Sequence, residues 1–429
     1  MDSLTVFHAL YQALGAVAAV PLAAAYALAG RYGGRWGDRL GYPIAGGRKP
    51  VWLHAASVGE AKSAILLAQA LQKIRPDGDF LISVGTPQGL AFAEKKLAGQ
   101  ESFQIMAPPL DVWGAPGRTF ARVEPRALIL VETELWPGLI RRAKSLGVPL
   151  FLAAGRLSAK SLGRYLKLKF FFRDLLESFD LIAPISKEDE ARFLELGAPP
   201  ERLEALGNPK HDDLILLAQG PPPPPTSLSP PFLVVAGSTH PGEEEIILNA
   251  LLKLLLNHSI PAPPAATPVK MIIAPRHPQR AGAVTLLARR LGFKASIVNS
   301  PETPTDALPE IGVVSQMGIL PAFYLKADLT IVGGSFVEGQ GHNPLEPAAL
   351  GRASAFGPYM SSFSGPARTL MDAAACKMVP PVNLANILTH FLAVPAFARE
   401  AGLRGRQAVA ALPLAAPLLA ERFAAKLWP

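Results

Sequence analysis

From about residue 50 to residue 350, short aliphatic and β-branched runs alternate with longer stretches in which apolar positions recur every three or four residues. Runs of four to six apolar residues suit strands buried on both faces, and the intervening pattern suits helices packed on them, so the alternation reads as parallel sheet with crossover helices. In the first half it predicts strands at Val51–His54, Phe80–Val84, Ala127–Val131, Pro149–Ala153 and Leu181–Pro184. Helices are expected over Ala61–Lys73, Gly89–Leu97, Pro137–Ser145 and Lys187–Leu196. The order stops at Gly220–Pro231, where the run Pro221–Pro225 can enter neither a helix nor a sheet interior and acts as a stiff spacer. It restarts with strands at Phe232–Ala236, Lys270–Ala274, Ala295–Val298 and Leu329–Val332 and helices at Glu243–Asn257, Arg280–Leu291 and Pro344–Leu350. The expected architecture is α/β: two Rossmann-like domains of similar size facing a cleft.

The N-terminus breaks this pattern. No charge occurs from Ser3 to Gly30, a length sufficient to span a bilayer, and only Asp2 precedes the run, which disfavours a cleaved signal peptide. Arg31, Arg35 and Arg39 follow at helical spacing with Tyr32 and Trp36 among them, as expected of a segment emerging beside anionic head groups. Residues 1–30 are therefore read as a membrane-anchor helix that either spans the bilayer or, because His8, Gln12, Gly15 and Pro21 dilute its apolar character, lies in the interface. The division is then anchor 1–30, first domain 31–219, linker 220–231 and second domain 232–429, with the last helix free to cross back.

Composition narrows the partners. Of 429 residues, 18% are charged and one is cysteine, so no intramolecular disulfide can form and a cysteine-based zinc site is disfavoured. A formal net charge of +8 points to anionic partners. Lys160, Arg164, Lys167, Lys169 and Arg173 surround Tyr165 and Phe170–Phe172, a pattern that suits an acidic lipid surface or a solvated cationic face with its aromatics turned inward. No recognisable nucleic-acid module accompanies it.

Candidate chemistry gathers where strands run into helices, because ligands of parallel sheets bind at the carboxyl edge. In His54-Ala-Ala-Ser-Val-Gly-Glu60, Ser57 and Glu60 have capping-box spacing; the same Glu60 at a cleft rim could take a proton from a hydroxyl. Glu132-Thr-Glu134-Leu-Trp-Pro137 sets two carboxylates two residues apart, able to act as acid and base, to hold a metal, or to bind Arg156 or Arg164 within the fold. In the second half, Gly237-Ser238-Thr239-His240 precedes a helix, Pro275-Arg276-His277-Pro278 ends a strand, and Val332-Gly-Gly leads through Gly341-His342-Asn343 to Glu346. Backbone amides, Arg276 and Asn343 suit a phosphate, and Glu346 suits ribose hydroxyls.

Taken in order, His54–Glu60, Glu132–Pro137, Gly155-Arg156-Leu157-Ser158, Gly207-Asn208, Gly237–His240, Pro275–Pro278 and Gly341–Pro347 resemble the bacterial 3-deoxy-D-manno-octulosonic acid (Kdo) transferases, lipid A-specific enzymes of glycosyltransferase family 30. The resemblance runs from about residue 30 to residue 363 and implies the GT-B fold. It implies transfer of Kdo from CMP-Kdo to a lipid A precursor with inversion at the anomeric carbon, no metal in the chemistry and no cofactor beyond the donor. It also implies a place at the inner membrane, catalytic domains on the cytoplasmic leaflet, and no nucleic-acid partner. Carried over residue by residue, Glu60 matches the general base, with Ser57, Gly59, Glu132, Glu134 and Arg156 on the acceptor side or supporting it. Pro275, Arg276, Met317, Gly318, Asn343 and Glu346 match donor contacts, and Ser238, Thr239, Gly341 and His342 lie in the same motifs. The chain departs from the family pattern at Ala154, Ser315, Gln316, Ile319 and Gln340. The alternatives are a membrane-bound glycosyltransferase using another nucleotide sugar, and a non-catalytic homologue that binds a CMP-sugar.

Overall fold

The computed structural model describes Tyr11, Ala13 and residues 35–43, 48–112, 114–224, 231–256, 268–339 and 341–428. The anchor expected over 1–30 lies outside the described residues except at Tyr11 and Ala13. The chain forms two compact units, Met1–Asp212 with Pro413–Pro429, and Asp213–Leu412.

The first unit is built on six parallel strands: β1 (Val51–Ala55), β2 (Phe80–Val84), β3 (Phe103–Met106), β4 (Ala127–Val131), β5 (Leu150–Gly155) and β6 (Leu181–Pro184). They lie in the order β3-β2-β1-β4-β5-β6. Alternation sorts β1 between two cores. Val51, Leu53 and Ala55 face one that includes the helix Val58–Ile74 and the helix Ala415–Leu427; Trp52 faces the other, with Phe120, Leu139 and Phe179. Each strand except β3 is buried along its whole length, which is why the strands read as unbroken apolar runs.

The second unit has seven parallel strands: β7 (Phe232–Thr239), β8 (Val269–Pro275), β9 (Ala295–Ile297), β10 (Ile311–Val313), β11 (Leu329–Val332), β12 (Ala353–Phe356) and β13 (Cys376–Met378). Their order is β13-β12-β11-β7-β8-β10-β9, so the loops after β11, β7, β8 and β10 stand side by side at the carboxyl edge.

The boundary between units falls at Asp212/Asp213 rather than at the prolines. The helix Asp212–Gln219 runs with the second unit because the Arg406 guanidinium donates to the carbonyls of Leu217 (3.0 Å) and Gly220 (2.8 Å), and Gln219 donates to Ala410 (3.0 Å). Among the described residues, Pro395–Leu427 is long and apolar enough to cross a membrane, with mean hydropathy 1.4. It is nevertheless two helices, Pro395–Ala410 and Ala415–Leu427, and the core positions Ala401 and Val409 of the first and Leu419 and Phe423 of the second are buried within their own units.

Of the arginines after the apolar run, Arg35 and Arg39 turn toward the first unit rather than outward. Arg39 is buried and donates to the carbonyls of Pro108 (3.2 Å) and Gly85 (3.5 Å); Arg35 donates to Ile105 (2.8 Å) and pairs with Asp38 and Glu94. Their guanidinium groups satisfy carbonyls of the first unit. Tyr11, inside the run, donates to Asp111 at 2.9 Å, and Asp111 accepts from Gly138 (2.7 Å) and Leu139 (2.8 Å). Tyr11 is therefore tied to the first unit. Burial pushes the Asp111 carboxyl up to about 6, against the pull of those three hydrogen bonds.

Candidate active site

At the carboxyl end of β1 the chain turns at Ala56 into the helix Val58–Ile74, with Ser57 as its N-cap. Ser57 Oγ donates to Glu60 Oε1 at 2.8 Å and Ala56 N donates to Glu60 Oε2 at 2.6 Å, while Glu60 N donates back to Ser57 Oγ at 3.4 Å. The capping arrangement read from the spacing is present, and it fixes the Glu60 carboxylate at the sheet's carboxyl edge. Two of the roughly four lone-pair positions of that carboxylate are used, leaving acceptor capacity for a substrate hydroxyl.

Glu132 follows β4 with φ +61°, a left-handed conformation that a side-chain-bearing residue rarely adopts. Its carboxylate pairs with Lys210, a partner the sequence did not suggest. Lys210 lies over Gly59: a Cβ there would stand 3.3 Å from Lys210 Cε and 3.4 Å from Nζ. Glu134 Oε2 accepts from Trp136 Nε1 at 2.6 Å, and burial raises the Glu134 carboxyl above its usual range, reinforced by the neighbouring charges of Glu60 and Glu132. The three carboxylates and Lys210 are thus one electrostatic cluster.

Behind it, the Trp136 ring meets His54 at a centroid distance of 4.9 Å and 73°, and Ser83 Oγ joins His54 Nδ1 (2.9 Å) to Trp52 Nε1 (2.8 Å). Burial holds His54 down to about 3, with the Arg39 charge adding to the effect. His211 is held down to about 4 by burial and by Lys210 and Arg156, which puts Arg156 beside the same cluster; the Arg156 amide donates to Thr133 Oγ1 at 3.1 Å. Lys210 is the group sequence reasoning missed. The signal was the tight turn after Gly207-Asn208, where Asn208 Oδ1 accepts from Lys210 N at 3.0 Å and so fixes where the lysine begins.

The aromatic and basic stretch divides. Lys160, Arg164, Lys167, Lys169 and Arg173 are exposed, Phe171 is buried, and Tyr165 stacks on Phe172 at 4.3 Å.

In the second unit the candidate donor residues occupy neighbouring loops. Ser238 is left-handed (φ +59°), whereas Thr239 is buried and its hydroxyl donates to Glu244 Oε1 at 2.9 Å, so Thr239 faces the fold and not a ligand. Pro275 ends β8; Arg276 is exposed, with its amide donating to Thr239 O at 2.9 Å. Gly341 has φ +71°, and a Cβ there would meet Met360 Sδ at 2.5 Å, so only glycine fits. The His342 ring stacks on His240 with centroids 5.0 Å apart and Nε2 to Nε2 at 2.8 Å; burial, then His240 and Arg276, hold His342 down to about 4. Asn343 Oδ1 accepts from Leu345 N at 3.1 Å, and Glu346 lies in the first turn of the helix Leu345–Ala349, close enough to raise the buried Tyr324 hydroxyl beyond the effect of its burial. Met317 and Gly318 are exposed on the loop after β10, two strands from β7. Gln340 lies outside the described residues.

One expectation changes. The amides of Gly334, Ser335 and Phe336 do not await a phosphate, because the Glu243 carboxylate already accepts all three. Among the described residues no group of three or more His, Cys, Asp or Glu side chains is gathered as a metal site requires.

A family model described as 3-deoxy-D-manno-octulosonic-acid transferase (kdotransferase) matches residues 34–213. The 3-deoxy-D-manno-octulosonic acid transferase of Haemophilus influenzae is 32% identical over 348 residues, 80% of this chain and 79% of that protein. That of Bordetella pertussis is 33% identical over 373 residues, 85% of this chain and 83% of that one. Among solved structures, a glycosyltransferase from Rickettsia africae superposes with TM-score 0.58 at 13% identity, over 89% of this chain and 98% of that one. UDP-GlcNAc 2-epimerase from Neisseria meningitidis gives 0.55 at 11% identity, over 88% and 99%. At such identities the two structures speak for the fold, a pair of parallel-sheet domains of the GT-B type.

Proposed function

Because the chain belongs to the 3-deoxy-D-manno-octulosonic acid transferase family, and so is a glycosyltransferase, we propose that it transfers Kdo from CMP-Kdo to a lipid A precursor with Glu60 as general base. The acceptor hydroxyl gives its proton to Glu60 while its oxygen bonds to the anomeric carbon of Kdo; the bond from that carbon to the phosphate oxygen breaks on the opposite face, and CMP leaves with the electron pair. The configuration inverts in this single displacement. The observation that carries the reading is the Glu60 carboxylate, held by Ser57 and Ala56 in the first helical turn beside Glu134 and the Lys210–Glu132 pair. A pinned, oriented carboxylate with acceptor capacity left over is what proton abstraction needs. Ser57 and Gly59 serve it directly, the first by orienting Glu60 and the second by leaving room for Lys210; Arg156 adds positive charge suited to acceptor phosphates.

The second unit takes the donor: Arg276 for its anionic groups, Asn343 near the phosphate, Glu346 for the ribose hydroxyls, and Met317 and Gly318 along the nucleotide. No metal or further cofactor enters this chemistry. In this reading the apolar run 1–30, spanning the bilayer or lying in its interface, holds the enzyme at the cytoplasmic leaflet of the inner membrane.

The test is transfer by detergent-solubilised protein supplied with CMP-Kdo and a tetraacylated lipid A precursor, read by mass spectrometry of the lipid. Wild type is expected to add Kdo, and Glu60→Gln and Glu60→Ala, folded and still binding CMP, to be slower by about a hundredfold or more. Variants as active as wild type would reduce Glu60 to a helix cap. Wild type that binds CMP without transfer would point to a CMP-sugar-binding homologue, and preference for UDP over CMP to another donor.

A further inference from the structure

Glu243 is fully buried at the start of the helix Glu243–Leu256, and its carboxylate accepts four backbone N–H groups. Ser335 and Phe336 donate to Oε1, each at 2.8 Å; Gly334 at 2.7 Å and His240 at 2.8 Å donate to Oε2. An ionised carboxylate has about four lone-pair sites, so its acceptor capacity is filled by main chain alone. A glutamine of the same length would turn an NH2 toward two of those donors.

The four amides come from two loops. His240 follows β7, and Gly334 to Phe336 follow β11, the adjacent strand. From this joint the geometry runs outward: the carbonyls of Gly334 and Gly333 accept from Gly341 N (2.9 Å) and His342 N (3.2 Å). Gly334 is left-handed at φ +69°, and a Cβ on it would stand 2.9 Å from His342 Cδ2, so this turn seats the histidine directly. The His342 ring then lies against His240, whose own backbone is held by the same carboxylate, and Asn343 and Glu346 follow immediately in the chain.

We propose that Glu243 is a positioning residue for the nucleotide donor, a carboxylate strap that sets the loops after β7 and β11 in the one register that presents His240, His342 and Asn343 together. This rests on the reading of the second unit as the donor-binding half. The strap touches no donor atom itself; it acts through the loops it ties. Because the four backbone donors from both loops converge on this one buried carboxylate, removing its charge releases both loops at once.

The experiment uses the full chain in detergent micelles, with CMP as the titrated probe in calorimetry and with donor and acceptor varied separately in transfer assays. Glu243→Gln is expected to weaken CMP binding at least tenfold and to raise KM for CMP-Kdo, with KM for the acceptor unchanged. Glu243→Asp, which keeps the charge one methylene short, is expected to fall between, and it carries the measurement should the glutamine variant not fold. The control is Asp328→Asn at the opposite, amino end of the same sheet, where Asp328 Oδ2 accepts from Leu233 N at 2.8 Å. It should lower the melting temperature and leave CMP affinity alone. Glu243 variants that bind CMP like wild type, or an Asp328 variant weakened by the same factor, would overturn the positioning role. Wild type that fails to bind CMP would overturn the donor-binding reading and this inference with it.

Discussion

Lys210 pairs with Glu132, and its Nζ stands 3.4 Å from where a Cβ on Gly59 would lie, so one lysine ties the turn after β4 to the first helical turn that carries Glu60. Glu132 is left-handed there, and an unpaired carboxylate in that turn would face the charges of Glu60 and Glu134. Lys210→Met should therefore lower transfer by about two orders of magnitude through lost charge complementarity, while the melting temperature moves by only a few degrees. Gly59→Ala should cost about tenfold, since the flexible lysine end can give by a few tenths of an ångström. Steady-state rates with CMP-Kdo check both, and wild-type activity in Lys210→Met would remove the lysine from the catalytic cluster.

Much of this is legible in the amino-acid sequence. Strands buried on both faces, such as Phe80–Val84 and Leu329–Val332, announce themselves as apolar runs, and the Ser57–Glu60 spacing gave the cap directly. The missed strands are short or placed at an edge: β3 carries Gln104 in its middle, β10 is Ile-Gly-Val, and β12 and β13 lack a run of large apolar residues. Lys210 was illegible because its partner lies 78 residues away, and Glu243 because a first-turn glutamate reads equally as an exposed helix-dipole acid. Arg35 and Arg39 mislead for a related reason: arginines at helical spacing look the same whether they face lipid or reach back to backbone carbonyls.

The helix Ser364–Asp372 ends in a Schellman arrangement, with Ala375 N donating to Leu370 O and Ala374 N to Met371 O, each at 2.9 Å. Its left-handed residue is Ala374 at φ +50°, where the equivalent ends at Gly147, Gly197 and Gly292 use glycine. Ala374 is exposed, so its methyl contributes little packing. Ala374→Gly should stabilise the second unit by about 0.5–1 kcal/mol and raise its melting temperature by about 2–3 °C. A lower melting temperature would show that the alanine is not strained.

His54 is held down to about 3, below the ordinary value near 6.5 that it regains on unfolding. Its contribution to stability is thus complete above pH 6.5 and is lost as the pH falls toward 3, because only the unfolded state takes up the proton. At pH 5 the loss amounts to about 2 kcal/mol. Asp111, raised to about 6, acts in the opposite sense and gains about 1 kcal/mol over the same range. A His54→Gln variant isolates the histidine: its deficit against wild type should shrink by about 2 kcal/mol between pH 7.5 and pH 5 in denaturant unfolding. A deficit independent of pH would mean that His54 is already charged in the folded protein.

The C-terminal helix Ala415–Leu427 belongs to the first unit, and three features hold it there. Asp212 caps it, its two carboxylate oxygens accepting from Ala415 N and Ala416 N at 2.8 Å each. Phe423, fully buried, stacks on Phe151 of β5 with centroids 4.8 Å apart and 26° between the rings. Leu419, Phe423 and Leu427 join the core that the helix Val58–Ile74 also lines, so the last residues of the chain support the helix that carries Glu60. Phe423→Ala should cost about 3–5 kcal/mol and Asp212→Asn about 1–2 kcal/mol, the first from a cavity and the second from a weakened cap. Two melting transitions are expected from two units, and both substitutions should shift the one that belongs to the first. CMP binding, assigned to the second unit, should survive at a temperature where transfer is already lost. Loss of CMP binding in parallel with transfer in Phe423→Ala would show instead that the terminal helix supports the donor side as well.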